Sequence, residues 1–252
     1  MQKKPPHNVL DGEQPDGHIS MLQDGTEEQV SIIVVHKDRP EYLNICLQSI
    51  AVTSLNNNYE IIVVDNGSTL KDAVDFLDDL EQQGECKVIR NKENFWWSKA
   101  ANQGAKAADK KSKYFIFMHS DVVVTNPAWI DLLINVSESQ DSGMVGVSMH
   151  SYYMDKQKID FIEEWCLLMT RECWNDTGHF PEELPIVGAP FIMTMAAQYA
   201  DHKPQVIRNP IVHHYAIFGL DVNTFEIESE KALTAIPTLM RDLQTKVKRR
   251  KR

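Results

Sequence analysis

An α/β fold, with a mostly parallel sheet flanked by helices on both faces and a C-terminal helical extension, is predicted by three observations. Short apolar, largely β-branched runs recur at Val30–Val35, Tyr59–Val64 and Tyr114–Met118, the pattern of strands buried on both faces. Between them lie stretches with apolar residues at three- and four-residue steps, the period of amphipathic helices. Each run ends in polar residues, as expected where a parallel sheet presents its carboxyl ends to a ligand.

In chain order, residues 1–29 are rich in Pro, Gly, Asp, Glu and Gln and poor in large apolar groups, which predicts a flexible or loosely docked arm. After the first strand, His36-Lys37-Asp38-Arg39 forms a polar loop, and Pro40 suits the first turn of a helix carrying Leu43, Cys46, Leu47 and Ile50 on one face. The second strand ends in Asp65-Asn66-Gly67-Ser68-Thr69. A carboxylate released there suits hydrogen bonds from a ribose or base; a turn leading to a helix N-cap at Ser68 or Thr69 is the plainer role. Leu70, Val74, Leu77 and Leu80 mark the next helix, whose acidic outer face, Asp72, Asp75, Asp78, Asp79 and Glu81, reads as solvated surface.

Cys86–Ile89 reads as a short third strand leading into a loop from Arg90 to Trp97. Two adjacent tryptophans, Trp96 and Trp97, predict one residue in the core and one platform for a ring. The helix from about Ser98 to Asp109 is so rich in Ala and Gly that it fits close against a sheet or a ligand, with Asn102 standing out. The strand Tyr114–Met118 then releases His119-Ser120-Asp121. Asp121 is a candidate ligand for a divalent cation carrying a phosphate, or the cap of a turn.

Asn126-Pro127 opens a helix bearing Trp129, Leu132, Leu133 and Val136. Met144–Met149 and Trp165–Met169 read as strands, Arg171–Thr177 as a short helix ended by Gly178, and Phe191–Ala200 as a helix preceded by Gly188-Ala189-Pro190. Pro204–Val212 reads as extended and delivers His213-His214-Tyr215. The last 30 residues read as helical stretches broken at Pro237.

Composition narrows the function. A formal net charge of −10 argues against broad nucleic-acid binding, because the field repels phosphodiester backbones. The terminal KVKRRKR, six cations in seven residues, suits peripheral contact with anionic lipid head groups or an acidic partner. No apolar run approaches the ~20 residues that span a bilayer and the start of the chain has no signal-peptide pattern, so a cytoplasmic protein is expected. Cys46, Cys86, Cys166 and Cys173 have no metal-site spacing and read as free thiols in a reducing compartment.

Five segments, in this order and spacing, resemble family 2 glycosyltransferases of the GT-A fold: VSIIVVHKDRPEYLNICLQSI, EIIVVDNGST, NKENFWWSKAANQGAKAA, FIFMHSDVVV and IRNPIVHHY. The resemblance runs from Val30 to Tyr215, leaving residues 216–252 as a C-terminal extension with a basic tail. It implies transfer of a sugar from a nucleoside diphosphate, most readily a UDP-sugar, to a glycan or other hydroxyl acceptor. It implies a nucleotide-sugar site of Val35, His36, Asp65, Asn66, Arg90, Trp97, Asn102, His119 and Ser120. A Mn2+ or Mg2+ ion would be held by Asp121 and His119, with His214 favoured over His213 from the later strand.

Two departures stand out. His119 occupies the first position of the DXD segment, removing one anionic ligand and favouring Mn2+ or Zn2+ over Mg2+. Ala189-Pro190 stands where many relatives carry an acidic pair that includes the base for an inverting transfer. Glu183 and Glu182 are the nearest substitutes, with Asp160, Glu163 and Glu164 as more remote ones. A degenerate domain that binds nucleotide sugar or glycan without turnover is the alternative. Nucleotidyl transfer is disfavoured, since HKDRP offers no Gly-rich phosphate loop.

Overall fold

The computed structural model describes residues 28–250 apart from 155, 156, 186, 209 and 217–221. Strand and helix alternate through β1 (Val30–His36), α1 (Pro40–Thr53), β2 (Tyr59–Asp65), α2 (Lys71–Gln83), β3 (Lys87–Arg90), α3 (Trp96–Ala107) and β4 (Tyr114–His119). Then come β5 (Val122–Val124), α4 (Trp129–Ser139), β6 (Met144–Gly146), β7 (Met149–Met154), β8 (Gln157–Ile162) and β9 (Cys166–Thr170). The chain ends through α5 (Arg171–Thr177), α6 (Ala189–Tyr199), β10 (Gln205–Val206), β11 (Val212–His214) and α7 (Val222–Arg250).

Seven strands form the central sheet in the order β10-β6-β9-β4-β1-β2-β3. β1 is parallel to both β2 and β4, while β9 runs antiparallel between β4 and β6. The chain moves outward from β1 to β3 and returns to β4 on the other side of β1, so strand order reverses between β1 and β4. The carboxyl edge at such a reversal is where open α/β sheets bind ligands.

Alternation along the strands divides the core in two. Ile33, Ile62, Val64, Phe115 and Phe117 share a cluster with α3, α6 and α7, whereas Ile32, Val34, Val63, Ile116 and Met118 pack with α1, α2 and α4. The small residues of α3 have the close-packing role expected of them. A Cβ on Gly104 would lie 2.3 Å from Cγ2 of Ile33, so α3 rests directly on β1.

The structure corrects several sequence expectations. No side chain at Ser68 or Thr69 caps α2, whose N-cap is Leu70. Asp38 caps it from the β1–α1 loop, its Oδ1 accepting the Thr69 and Leu70 N–H groups at 2.7 and 3.0 Å. Burial alone would raise this carboxyl, but the Leu70 N–H, the Lys37 ammonium and the Thr69 N–H outweigh it and hold the pKa at about 2. Met144–Met149 is not one strand: β6 stops at Gly146, and an antiparallel hairpin of β7 and β8 follows.

α7 runs unbroken through Pro237. Proline in a helix interior forfeits one hydrogen bond at a cost of about 3 kcal/mol. Here Pro237 and Leu233, whose carbonyl loses its partner, are both exposed, and water can reach that carbonyl. On the adjoining face Ala232, Ile236 and Met240 are buried in the α6 cluster, which offsets the loss.

No described helix is long and apolar enough to cross a membrane. The arm expected over residues 1–29 lies almost wholly outside the described residues, as do the basic side chains of 246–252.

Candidate functional site

The ends of β3, β2, β1 and β4 line one rim, with His36 in register with Asp65 and Val35 with His119. The reversal between β1 and β4 is bridged by side chains, His36 Nδ1 lying 3.2 Å from Ser120 Oγ. Beyond β4 the chain turns at once into β5, against which β11 pairs antiparallel with His214 opposite Val122. That short pairing was not foreseen, and it returns a distant histidine to the end of β4. The Tyr215 N–H donates to the Asp121 carbonyl at 3.0 Å and fixes the register.

His119, Asp121 and His214 form one cluster, each offering a ligand atom within 4.8 Å of the others. Nε2 of His214 lies 3.2 Å from Oδ1 of Asp121. Alternation turns His213 outward, where it is exposed and packs on Tyr215. Aromatic rings wall the cluster, Trp165 stacking on His214 at 4.7 Å and Trp97 meeting His119 edge-on at 4.5 Å. Burial lowers the His119 pKa to about 4, the Asp121 charge only partly opposing it. The ring is therefore neutral at pH 7, the form that ligates metals. Two imidazoles and one carboxylate, half-buried and converging, fit a Mn2+-like ion better than Mg2+.

Among the residues proposed to hold the nucleotide, Asp65 and Asn66 are each only 3% exposed. Asp65 Oδ1 accepts from the Ser68 N–H at 3.0 Å and the Ser68 hydroxyl at 2.6 Å. Asn66 Nδ2 donates to the Trp96 carbonyl at 3.0 Å. Arg90 reaches away from the cluster: its guanidinium pairs with Asp78 at 2.6 Å and Glu81 at 3.4 Å on α2. Part of the acidic face of α2 is thereby paired rather than merely solvated.

Asn102 is buried and clamps the 180–184 loop, exchanging hydrogen bonds with the Phe180 backbone and donating to Glu182 Oε1 at 3.1 Å. Glu182 and Glu183 are both exposed, and neither makes an ion pair or hydrogen bond to the His119, Asp121 and His214 cluster. Ala189 and Pro190 are buried in the first turn of α6.

Glu164, one of the more remote carboxylates named from the sequence, comes close to the cluster. Its Oε1 lies 3.9 Å from His119 Nε2, with the side chain 16% exposed. Burial pushes its carboxyl up to about 7. No periodicity reveals this, because Glu164 reaches His119 only through the pairing of β9 with β4, a segment distant in sequence.

His36 supports a pH prediction. Its ring is 1% exposed and Nε2 has no partner; burial lowers its pKa to about 4, with Asp38 opposing and Lys37 adding to the shift. The unfolded chain binds this proton near pH 6.5. The stability the neutral ring contributes is complete above about pH 6.5 and is lost as pH falls toward 4. Urea unfolding at pH 7 and pH 5 is expected to cost wild type about 1–2 kcal/mol more than His36→Gln; equal losses would contradict it.

Comparison with known proteins bears on the family and the fold. The family model described as Glycosyl transferase family 2 matches residues 31–210. The O-antigen biosynthesis protein RfbC of Myxococcus xanthus is 26% identical over 121 residues, 48% of this chain and 9% of that protein. The mannosyltransferase PcManGT of Pyrobaculum calidifontis, solved with GDP-Man and Mn2+, superposes with a TM-score of 0.63 at 15% identity, over 83% of this chain and 63% of that one. GalNAc-T7, solved with UDP, GalNAc and Mn2+, gives 0.61 at 14% identity, over 74% and 44%. These likenesses show the fold, and the chain spans a small part of the curated relative's length.

Proposed function

The chain belongs to glycosyl transferase family 2, and from that premise we propose that it transfers a glycosyl group from a nucleoside diphosphate donor to an acceptor hydroxyl. The observation that carries this is the convergence of His119, Asp121 and His214 at the carboxyl edge where strand order reverses. His119, Asp121 and His214 would hold a divalent cation, which when bound supplies positive charge to the departing diphosphate. That GDP-Man and UDP accompany Mn2+ in the neighbouring structures supports a nucleotide sugar as donor, UDP- or GDP-linked.

The protein's own groups do the remaining work. Asp65 and Asn66, two strands from the cluster, would accept and donate hydrogen bonds to the nucleoside, and Trp97 and Trp165 hold the two histidine rings in place. For the acceptor proton we propose Glu183 or Glu182, on the loop that Ser98 and Asn102 pin to α3. Basic residues at 246–252 are proposed to touch an anionic surface or partner.

The test is donor hydrolysis. UDP- and GDP-sugars are expected to release nucleoside diphosphate slowly in Mn2+, and EDTA is expected to abolish the release. Binding of UDP or GDP without release from any donor would instead favour a degenerate binding domain, the reading that Ala189-Pro190 in α6 keeps open. No binding of either would refute both.

A further inference from the structure

Trp96, on the rim, has a backbone that fits its side chain poorly. Its φ is 60°, the left-handed region that large side chains rarely adopt and that costs free energy wherever it persists. The surroundings hold it there. Asn94 Oδ1 accepts the Trp96 N–H at 2.8 Å, and Asn66 Nδ2 donates to the Trp96 carbonyl at 3.0 Å. Asn66 Oδ1 in turn accepts from Asn91, which exchanges bonds with Gln103 of α3. The loop is pressed so closely onto the end of β2 that a Cβ on Gly67 would come within 2.8 Å of the Glu93 carbonyl carbon.

This strain brings no internal packing to match it. Trp97, the next residue, is 8% exposed and packs on His119 and Phe180. Trp96 is half-buried and, among the described residues, makes no ring contact and no indole hydrogen bond. A strained backbone that offers an unpartnered indole at a ligand-binding edge is the pattern of a residue kept for what it binds.

Its position says which ring it meets. Trp96 is anchored to Asn66 at the end of β2, and β1 separates β2 from β4. Two strand spacings of ~4.8 Å put this anchor ~10 Å along the edge from the strand that bears His119. With the diphosphate at His119, Asp121 and His214, the nucleoside is the part of the donor that reaches β2.

We infer that the Trp96 indole is the stacking platform for the heteroaromatic base of the donor. The inference rests on the donor reading above and adds the residue that grips the base. The test uses the whole chain and three proteins: wild type, Trp96→Gly and Trp96→Phe. Binding of UDP, GDP, UMP and GMP is measured by calorimetry in Mn2+, alongside thermal unfolding.

Glycine adopts φ 60° without penalty, so Trp96→Gly is expected to unfold at the wild-type temperature or above it. The same variant is expected to bind the preferred nucleotide about tenfold more weakly, by the same factor for monophosphate and diphosphate. Trp96→Phe keeps most of the affinity. Wild-type affinity in Trp96→Gly, or a weaker affinity that tracks a drop in unfolding temperature, overturns the inference alone. A wild-type protein that binds neither UDP nor GDP overturns the donor reading and this inference together.

Discussion

Asp121→Ala is expected to abolish Mn2+-dependent donor hydrolysis, lowering turnover by about three orders of magnitude, while the protein still folds. Asp121 is half-buried at the end of β4 and contributes nothing to either core cluster, so its loss leaves the sheet intact. Of the three side chains that converge there, it alone carries negative charge, since imidazoles are neutral or cationic. Two imidazoles alone would hold a hard dication weakly, and the diphosphate oxygens would lack an anchor. Removing Asp121 should therefore abolish both Mn2+ affinity and the Mn2+-dependent rise in unfolding temperature with UDP or GDP. Asp121→Asn keeps the shape and one oxygen, and should fall between. Wild-type hydrolysis by Asp121→Ala would remove the cluster from the mechanism. Lost nucleotide binding in a protein that shows no turnover even as wild type would leave the cluster as a binding site alone.

The sheet was legible because its strands announce themselves locally. Val30–Val35, Tyr59–Val64 and Tyr114–Met118 are apolar on both faces, and the helices between them keep the 3.6-residue period, so alternation and the polar rim followed directly. Asp65, His119 and Asp121 were legible as residues released at strand ends. What the sequence concealed depends on contacts between distant segments. The β5–β11 pairing that brings His214 to Asp121 uses three residues per strand, too few for a periodic signal. Asp38 caps α2 from 31 residues upstream, and nothing local marks it.

Arg90 shows the same limit from the other side. Its place at a strand end resembled that of a ligand-binding residue, yet Asp78 and Glu81 on α2 occupy its guanidinium. A helix face that reads as solvated in one dimension carries its partner in three. The resemblance assigned Trp97 to the nucleotide site, yet Trp97 is the buried member of the pair and packs on His119 and Phe180, while Trp96 is the half-buried one. That division has no local signature, because Asn66 and Asn94 together hold the left-handed backbone at Trp96.

Glu164→Gln is expected to weaken Mn2+ binding ten- to hundredfold, and the argument begins from His119. A carboxylate at position 119 would have supplied a second anion to the cation site; the imidazole there supplies none. β9 lies beside β4, with Cys166 opposite Met118, so the residues entering β9 arrive at the level of His119. Glu164 Oε1 stands 3.9 Å from His119 Nε2. Glu164 stands outside the group formed by His119, Asp121 and His214. Yet two atoms bound to one ion at about 2.1 Å each lie at most ~4.2 Å apart, so its spacing to His119 allows it to join an ion held by that ring. A bound cation would favour the ionised form of Glu164, which would then add an anion to the one from Asp121. Calorimetric titration with Mn2+ should show Glu164→Gln weakened while Glu182→Gln and Glu183→Gln, exposed on their loop, bind as wild type. Donor hydrolysis by Glu164→Gln should be rescued by raising Mn2+, which a merely misfolded variant would not allow. Unchanged Mn2+ affinity in Glu164→Gln would show that the cation site draws its charge from Asp121 alone.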